Sequence, residues 1–231
     1  MQFKNTDVVI KDISLFFLPV QTRVPLKFGS ETLEQVTCAR AKITVEDRSG
    51  NLGVGWGETP LSVQWVWPSA SAYSERHDAL VEFCKRLARA FLDFRCSGHP
   101  LEIGHEFIEE QLPHIRQAFN LERPTEAMPQ LAGLVAASVF DQAIHDAYGN
   151  VHEVDIYQTY GVDFMNRDLS WFFESNQQAG DSRVAFKGRY PNDYLIAEPP
   201  KRLPVWHLVG GLDPLVEEDR EGDEPMDGYP V

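Results

Sequence analysis

The 231-residue chain is 43% hydrophobic and carries 35 acidic against 21 basic residues, a formal net charge of −14 at pH 7. That balance argues against a nucleic-acid or anionic-membrane partner, and no run approaches the ~20 apolar residues of a membrane span. Cys38, Cys84 and Cys96 form no C-x-x-C pair and the start MQFKNTDVVIKD has no apolar signal core, which points away from a disulfide framework or zinc site and towards a reducing cytoplasm.

The first predicted element, Val8–Val20, is rich in β-branched and aromatic residues and limited by Pro19. Leu33–Asp47 then alternates, with Thr37, Ala39, Ala41, Ile43 and Val45 on one face and Val36, Cys38, Arg40 and Lys42 on the other. Asp47–Asn51 supplies turn chemistry, and Leu52, Val54, Trp56 and Glu58 alternate again. These strands predict a three-stranded antiparallel meander with one face exposed unless helices cover it. Gly50, Gly53, Gly55 and Gly57 lead to no helix N-terminus, so they suit a strand closely approached by another backbone and not a phosphate loop.

Helices are expected next. Ser74 can cap one running to about Phe94, with Leu80, Cys84, Leu87 and Phe91 on one stripe, and a second spans roughly Leu101–Phe119, interrupted near Pro113. The third, Leu131–Gly149, organises the rest. Its first two turns are apolar on every side, predicting burial all round; from Ser138 onward Ser138, Asp141, Gln142, His145 and Asp146 share a polar face, and Gly149 and Asn150 are expected to end it. This helix should contact both the meander and a later strand. Asp155–Tyr160 adds one further turn.

Periodicity fails from Asn166 to Pro200, which reads as a long loop or insertion held by its own aromatic residues. Leu203–Gly211 reads as a buried strand. Between Glu217 and Asp227 seven acids and one arginine give a net charge of −6, a solvated tail without the ligand spacing that calcium requires.

Candidate chemistry is sparse. Ser138, Asp141 and His145 share a helix face, but a nucleophilic serine needs a strained, exposed turn. Asp141 and His145 offer two metal ligands and no third, and His105-Glu106 is followed by Glu109 where a second zinc histidine would stand. No catalytic or metal-ligating residue is therefore assigned. Two predicted loops are more informative: Gln21–Thr32, carrying Arg23, Lys27 and Phe28, and Thr59–Tyr73, carrying Trp65 and Trp67. Both packing and ligand contact remain open for these tryptophans.

The Gly57-Glu58 end of a glycine-rich strand, Ala136, Ala137, Ala143, Ile144 and Asp146 on one helix, the Tyr157–Gly161 close and the Arg202–Val205 segment occur in this order over nearly the whole chain. Together they resemble the N-terminal capping domain of the mandelate racemase/muconate lactonizing group of the enolase superfamily, although His145 stands where tryptophan is usual. The resemblance implies an α+β fold, with the meander followed by a helical bundle over residues 1–165, an insertion over 166–202, and the beginning of a (β/α) barrel with an acidic tail over 203–231. It also implies a magnesium-dependent racemase, dehydratase or cycloisomerase that abstracts the α-proton of a small carboxylate, foremost a sugar acid, and a possible homo-oligomer. Lys27, Phe28, Trp65 and Trp67 would then line the substrate lid, Lys27 meeting a carboxylate or hydroxyl and the aromatic residues excluding water. The family's Lys-x-Lys base has no counterpart at Lys201-Arg202-Leu203, and its metal carboxylates are missing. The 231 residues thus correspond to the front portion of an enzyme, expected to be inactive and free of magnesium alone; the alternative is a non-catalytic interaction protein built on the cap.

Overall fold

The computed structural model describes residues 3–28, 31–123, 125–173, 186–196, 198–206, 209, 213–220 and 222. Three strands, β1 (Val8–Phe28), β2 (Glu31–Asp47) and β3 (Leu52–Pro60), form an antiparallel sheet in the order β1-β2-β3, the meander that the alternation predicts. Asp47 holds the β2–β3 turn by accepting the Ser49 and Asn51 N–H groups, each at 2.8 Å, while Gly50 takes φ +85°, a conformation that glycine adopts without strain. Lys11 is an extra residue between the Ile10–Val45 and Asp12–Thr44 pairs, a bulge in β1.

The inner face of the sheet carries Ile10, Ala39, Ala41, Ile43 and Val45, all buried. Helices cover it: α1 (Val63–Val66), α2 (Tyr73–Asp93), α3 (Pro100–Glu106), α4 (Leu112–Leu121) and α5 (Gln130–His152). The N-cap of α2 is Ala72, not Ser74, and makes no side-chain cap bond. The expected break near Pro113 is a single π-turn, Phe107–Gln111, between α3 and α4; Pro113 has no N–H with which to continue the ladder.

Helix α5 lies on β2 and β3 and also packs on α2, α3 and α4. Its contact with β3 is backbone to backbone. A Cβ on Gly53 would meet the Ala147 carbonyl and Val151, one on Gly55 would stand 2.0 Å from the Ala147 nitrogen, and one on Gly57 would stand 2.1 Å from the Val139 carbonyl. Alternate strand residues repeat every ~6.7 Å and helix residues four apart every ~6 Å, so glycines at every second position match Val139, Ala143, Ala147 and Val151. The glycines therefore serve the close approach read from sequence.

Two features of α5 differ from expectation. Its first half is not buried all round: Leu131 is exposed and Leu134 and Val135 are only partly covered, because one side lacks a packing layer. Gly149 does not end it. The helix runs to His152 and closes at Glu153, in the left-handed region at φ 55°, while Gly149 leaves room for the returning chain, whose Val154 N–H donates to the Gly149 carbonyl at 3.0 Å. The chain then makes a 3-10 turn at Ile156–Thr159, where the further turn was expected.

Within the predicted insertion, a short helix α6 (Leu169–Phe172) and a 3-10 turn at Pro191–Tyr194 form; residues 174–185 lie outside the described part. The expected buried strand Leu203–Gly211 is corrected where it is described. Residues 203–206 belong to no strand, and Val205 and Trp206 are 91% and 95% exposed, because no neighbouring strand among the described residues offers them a ladder. Residues 207–208 and 210–211, and most of the acidic tail, lie outside the described residues. The second contact expected of α5, with this segment, falls on residues that are exposed at 203–206 and otherwise mostly outside the described part.

Candidate functional site

The two expected lid segments leave the same end of the sheet by different means. Gln21–Thr32 is not a loop. Beyond the last β2–β3 pair, Cys38–Pro60, strands β1 and β2 continue alone as a two-stranded arm in which Gln21 pairs with Gln35, Leu26 with Leu33 and Lys27 with Thr32. Alternating Thr22, Val24 and Leu26 suit a ribbon, and Pro25, which has no N–H, lies where the register shifts between Gln21 and Leu26. Seven residues, Glu31–Thr37, carry the arm roughly 23 Å past the sheet. Lys27 is exposed near its tip; the side chain of Phe28 lies outside the described part.

The segment after β3 is tied to the base of that arm. The Leu61 N–H donates to the Thr37 carbonyl at 2.9 Å, and the Thr37 hydroxyl bonds His77 Nε2 at 2.9 Å, with the His77 ring stacked on Tyr73 at the start of α2. Val63 and Val66 are buried and pin α1 to the core, which turns Trp65 outward at 61% exposure. Trp67 faces the other way. It is 1% exposed, the Arg123 guanidinium lies 5.3 Å from its ring, and Arg76 donates to its carbonyl. The expectation that both tryptophans present a ligand surface is thus corrected: Trp67 packs beneath the segment. Lys27 and Trp65 share one end of the fold as exposed side chains, and Trp67 does not join them.

The polar face of α5 is spent on the sheet and on neighbouring helices. Ser138 donates its hydroxyl proton to the Val135 carbonyl at 2.8 Å and accepts from the Thr59 hydroxyl at 2.7 Å. Asp146 and Gln142 accept the Trp56 and Glu58 N–H groups, and Asn150 donates to the Val54 carbonyl. His145 donates from Nδ1 to the Asp141 carbonyl at 2.8 Å, four residues back in the helix, and the Asp141 carboxyl stands further off at 3.7 Å. Burial raises the pKa of Asp141, and the nearby His145 partly offsets this. The serine has no free proton to give up and no base, so the arrangement is a packing layer and not a hydrolytic triad.

A buried polar cluster escaped the sequence reading. His99, fully buried, accepts the Leu101 N–H at Nδ1, which leaves the proton on Nε2 to bond the Thr159 hydroxyl at 2.9 Å. Glu102 accepts from the N–H groups of His99, Asn166 and Arg167 and from the Asn166 amide, which also donates to Asp7 at 2.8 Å. The cluster ties the N-terminus, α3 and residues 166–167 together. Its sequence signal was His99-Pro100-x-Glu102, a capping box with proline at the first helical position. Burial, with His145 and His152 nearby, lowers the His99 pKa to about 3.

Among the described residues no group of three or more His, Cys, Asp and Glu side chains converges as a metal site, and no helix is long and apolar enough to cross a membrane.

Comparison with solved structures finds similar chains. Over 66% of its length the chain is similar to a substrate-liganded L-Ala-D/L-Glu epimerase from Bacillus subtilis, at 20% identity and a TM-score of 0.43, covering 34% of that chain. Over 67% it is similar to a dipeptide epimerase from Enterococcus faecalis V583 complexed with Mg and L-Leu-L-Tyr, at 16% identity and a TM-score of 0.36, covering 35% of that chain. An L-talarate dehydratase from Polaromonas sp. JS666, complexed with Mg and L-glucarate, is similar over the same 67% at 12% identity and a TM-score of 0.39, covering 35% of its chain. These solved structures are enolase-superfamily enzymes of the mandelate racemase/muconate lactonizing type. The chain spans about a third of the length of these structures. No family model and no curated protein matches it.

Proposed function

We propose that this chain is the capping domain of a magnesium-dependent mandelate racemase/muconate lactonizing-type enzyme, and that it gates access of a small carboxylate, foremost a sugar acid, to a barrel supplied by further sequence. The observation that carries the reading is the shared end: an arm bearing Lys27 and a segment bearing Trp65 leave the same end of a sheet on which α5 packs. Lys27 supplies a cation for a carboxylate or hydroxyl, and Trp65 supplies a flat apolar surface that excludes water from the reacting centre. The exposed Leu203, Val205 and Trp206 fit a first barrel strand that gains its ladder only beside further strands.

The described residues do not fit a magnesium site, so the proton-abstraction step is not routed through this chain; its part is to bind, orient and close. Reading the transcript past codon 231 tests the proposal. An in-frame Lys-x-Lys within some tens of codons supports it. A stop codon there, with no barrel encoded, favours the alternative, an interaction protein derived from the cap.

A further inference from the structure

Two guanidinium groups stand near the start of α2 without the carboxylates that buried cations ordinarily require. Arg76 belongs to the first turns of this 21-residue helix and is only 7% exposed. Basic side chains are seldom so buried unless paired, and a cation there faces the positive end of the helix dipole. The side chain leans back past the helix start, as helical side chains do, and donates from Nη1 to the Trp67 carbonyl. Its Nε is buried without an acceptor, and no carboxylate among the described residues lies within ion-pair distance of it.

Arg123, after α4, reaches the same residue from the other side of the chain. Its guanidinium lies 5.3 Å from the Trp67 ring and 5.4 Å from the Phe119 ring, and its Nε is also buried without an acceptor. So is the indole Nε1 of Trp67. The acids of these segments do not answer the charge. Glu126 accepts the Ser69 and Ser71 hydroxyls, and Glu75 stands 3.9 Å from Arg123, at the outer limit of an ion pair. Ala72, the N-cap of α2, supplies no side-chain acceptor. With 35 acids to 21 bases, the chain has no shortage of carboxylates to place here.

We propose that this corner, formed by the N-terminus of α2 with Arg76, Arg123 and the Trp67 indole, binds a small oxyanion, a phosphate or a carboxylate, beneath the segment that carries Trp65. The proposal stands apart from the enzymatic reading. An oxyanion accepts hydrogen bonds in several directions and takes them from guanidinium groups in charge-assisted form, and it brings the negative charge that a water molecule lacks. It also offsets the cost of a buried, unpaired cation at a helix end that already favours anions. Since Arg76 holds the Trp67 carbonyl, a bound anion steadies the base of the Trp65 segment.

The test compares sodium phosphate, sodium acetate and sodium chloride on the full chain at one ionic strength, about 0.15 M, so that screening is common to all three. Thermal melts and tryptophan emission are followed from about 0.1 to about 30 mM anion, a range in which a ligand of millimolar affinity raises stability measurably. The expected result is a saturable rise in melting temperature and a change in emission with phosphate, acetate or both, beyond the chloride control; the anion that acts identifies the ligand class. Arg76→Gln and Arg123→Gln should each weaken the effect at least tenfold. Trp67→Phe, which keeps a ring but removes the N–H, should also weaken it, while Lys85→Gln, further along α2, should not. Should Arg76→Gln fail to fold, Arg123→Gln, whose side chain is 16% exposed, gives the same reading with less risk to the core. No effect of either anion beyond chloride overturns the proposal, as does a saturable effect that Arg123→Gln leaves intact.

Discussion

The carboxylate of Asp146, in the last third of α5, accepts the main-chain N–H of Trp56 at 2.8 Å. It is the middle of three such bonds, from Gln142, Asp146 and Asn150, spaced by four along the helix and by two along the strand. The side chains that read as a polar helix face thus finish the hydrogen bonding of an edge strand. Replacing Asp146 with alanine should cost about 1 kcal/mol, the value of one partly exposed bond. Hydrogen exchange should localise the effect: the Trp56 amide should exchange faster, while amides in the β1–β2 ladder remain protected.

Gly55→Ala should be far more damaging than its single methyl suggests. The new Cβ would stand 2.0 Å from the Ala147 nitrogen and 2.4 Å from the Ala143 carbonyl, backbone atoms that cannot rotate away. A loss of about 3 kcal/mol or more in urea unfolding is expected. Ala147→Gly should not rescue it, because the clash is with main chain. Gly50→Ala, with open space around it but φ +85°, should cost only about 1 kcal/mol.

The meander, its register face and the place of the central helix were legible because alternation and helical period report burial directly, as at Ala39, Ala41 and Ile43. The arm was not. Gln21–Thr32 read as a loop, yet a two-stranded ribbon tolerates proline at a bulge or on a free edge, and sequence cannot distinguish Pro25 there from a proline in a turn. Gly149 misled for a similar reason: a glycine that admits a neighbouring backbone looks like one that ends a helix. Trp65 and Trp67, two residues apart, looked equivalent, and only the anchoring of Val63 and Val66 sends them to opposite sides. The polar cluster at His99 and Glu102 was missed because its members are more than 150 residues apart, from Asp7 to Asn166.

The two tryptophans should therefore separate cleanly. Trp67→Ala removes a buried side chain and should cost about 3–5 kcal/mol. Trp65→Ala, at an exposed site, should stay within about 0.5 kcal/mol of the parent. Thermal melts of both variants check this; equal losses would mean that Trp65 belongs to the core.

Acid should weaken the fold through His99. Its pKa is about 3 in the folded chain against an ordinary 6.5, so below pH 6.5 the unfolded chain takes up a proton that the folded chain refuses. Its contribution is complete above pH 6.5 and is lost as pH falls, by up to about 1.4 kcal/mol per unit until pH nears 3. His99→Gln cannot take up that proton, so the stability lead of the parent over it should shrink from pH 7 to pH 5. A lead independent of pH would show that His99 is not buried neutral.

The central claim is that this chain gates a reaction whose base and metal ligands lie in further sequence, and one incubation addresses it most directly. The purified 231-residue chain is mixed with magnesium and a panel of sugar acids in heavy water, and the α-carbon is followed by proton NMR. Removal of that proton needs a base in hydrogen-bond reach and stabilisation of the developing enediolate, neither of which Lys27 and Trp65 provide together. The account predicts no deuterium incorporation above the protein-free control; protein-dependent incorporation at the α-carbon would contradict it and place an active site within this chain.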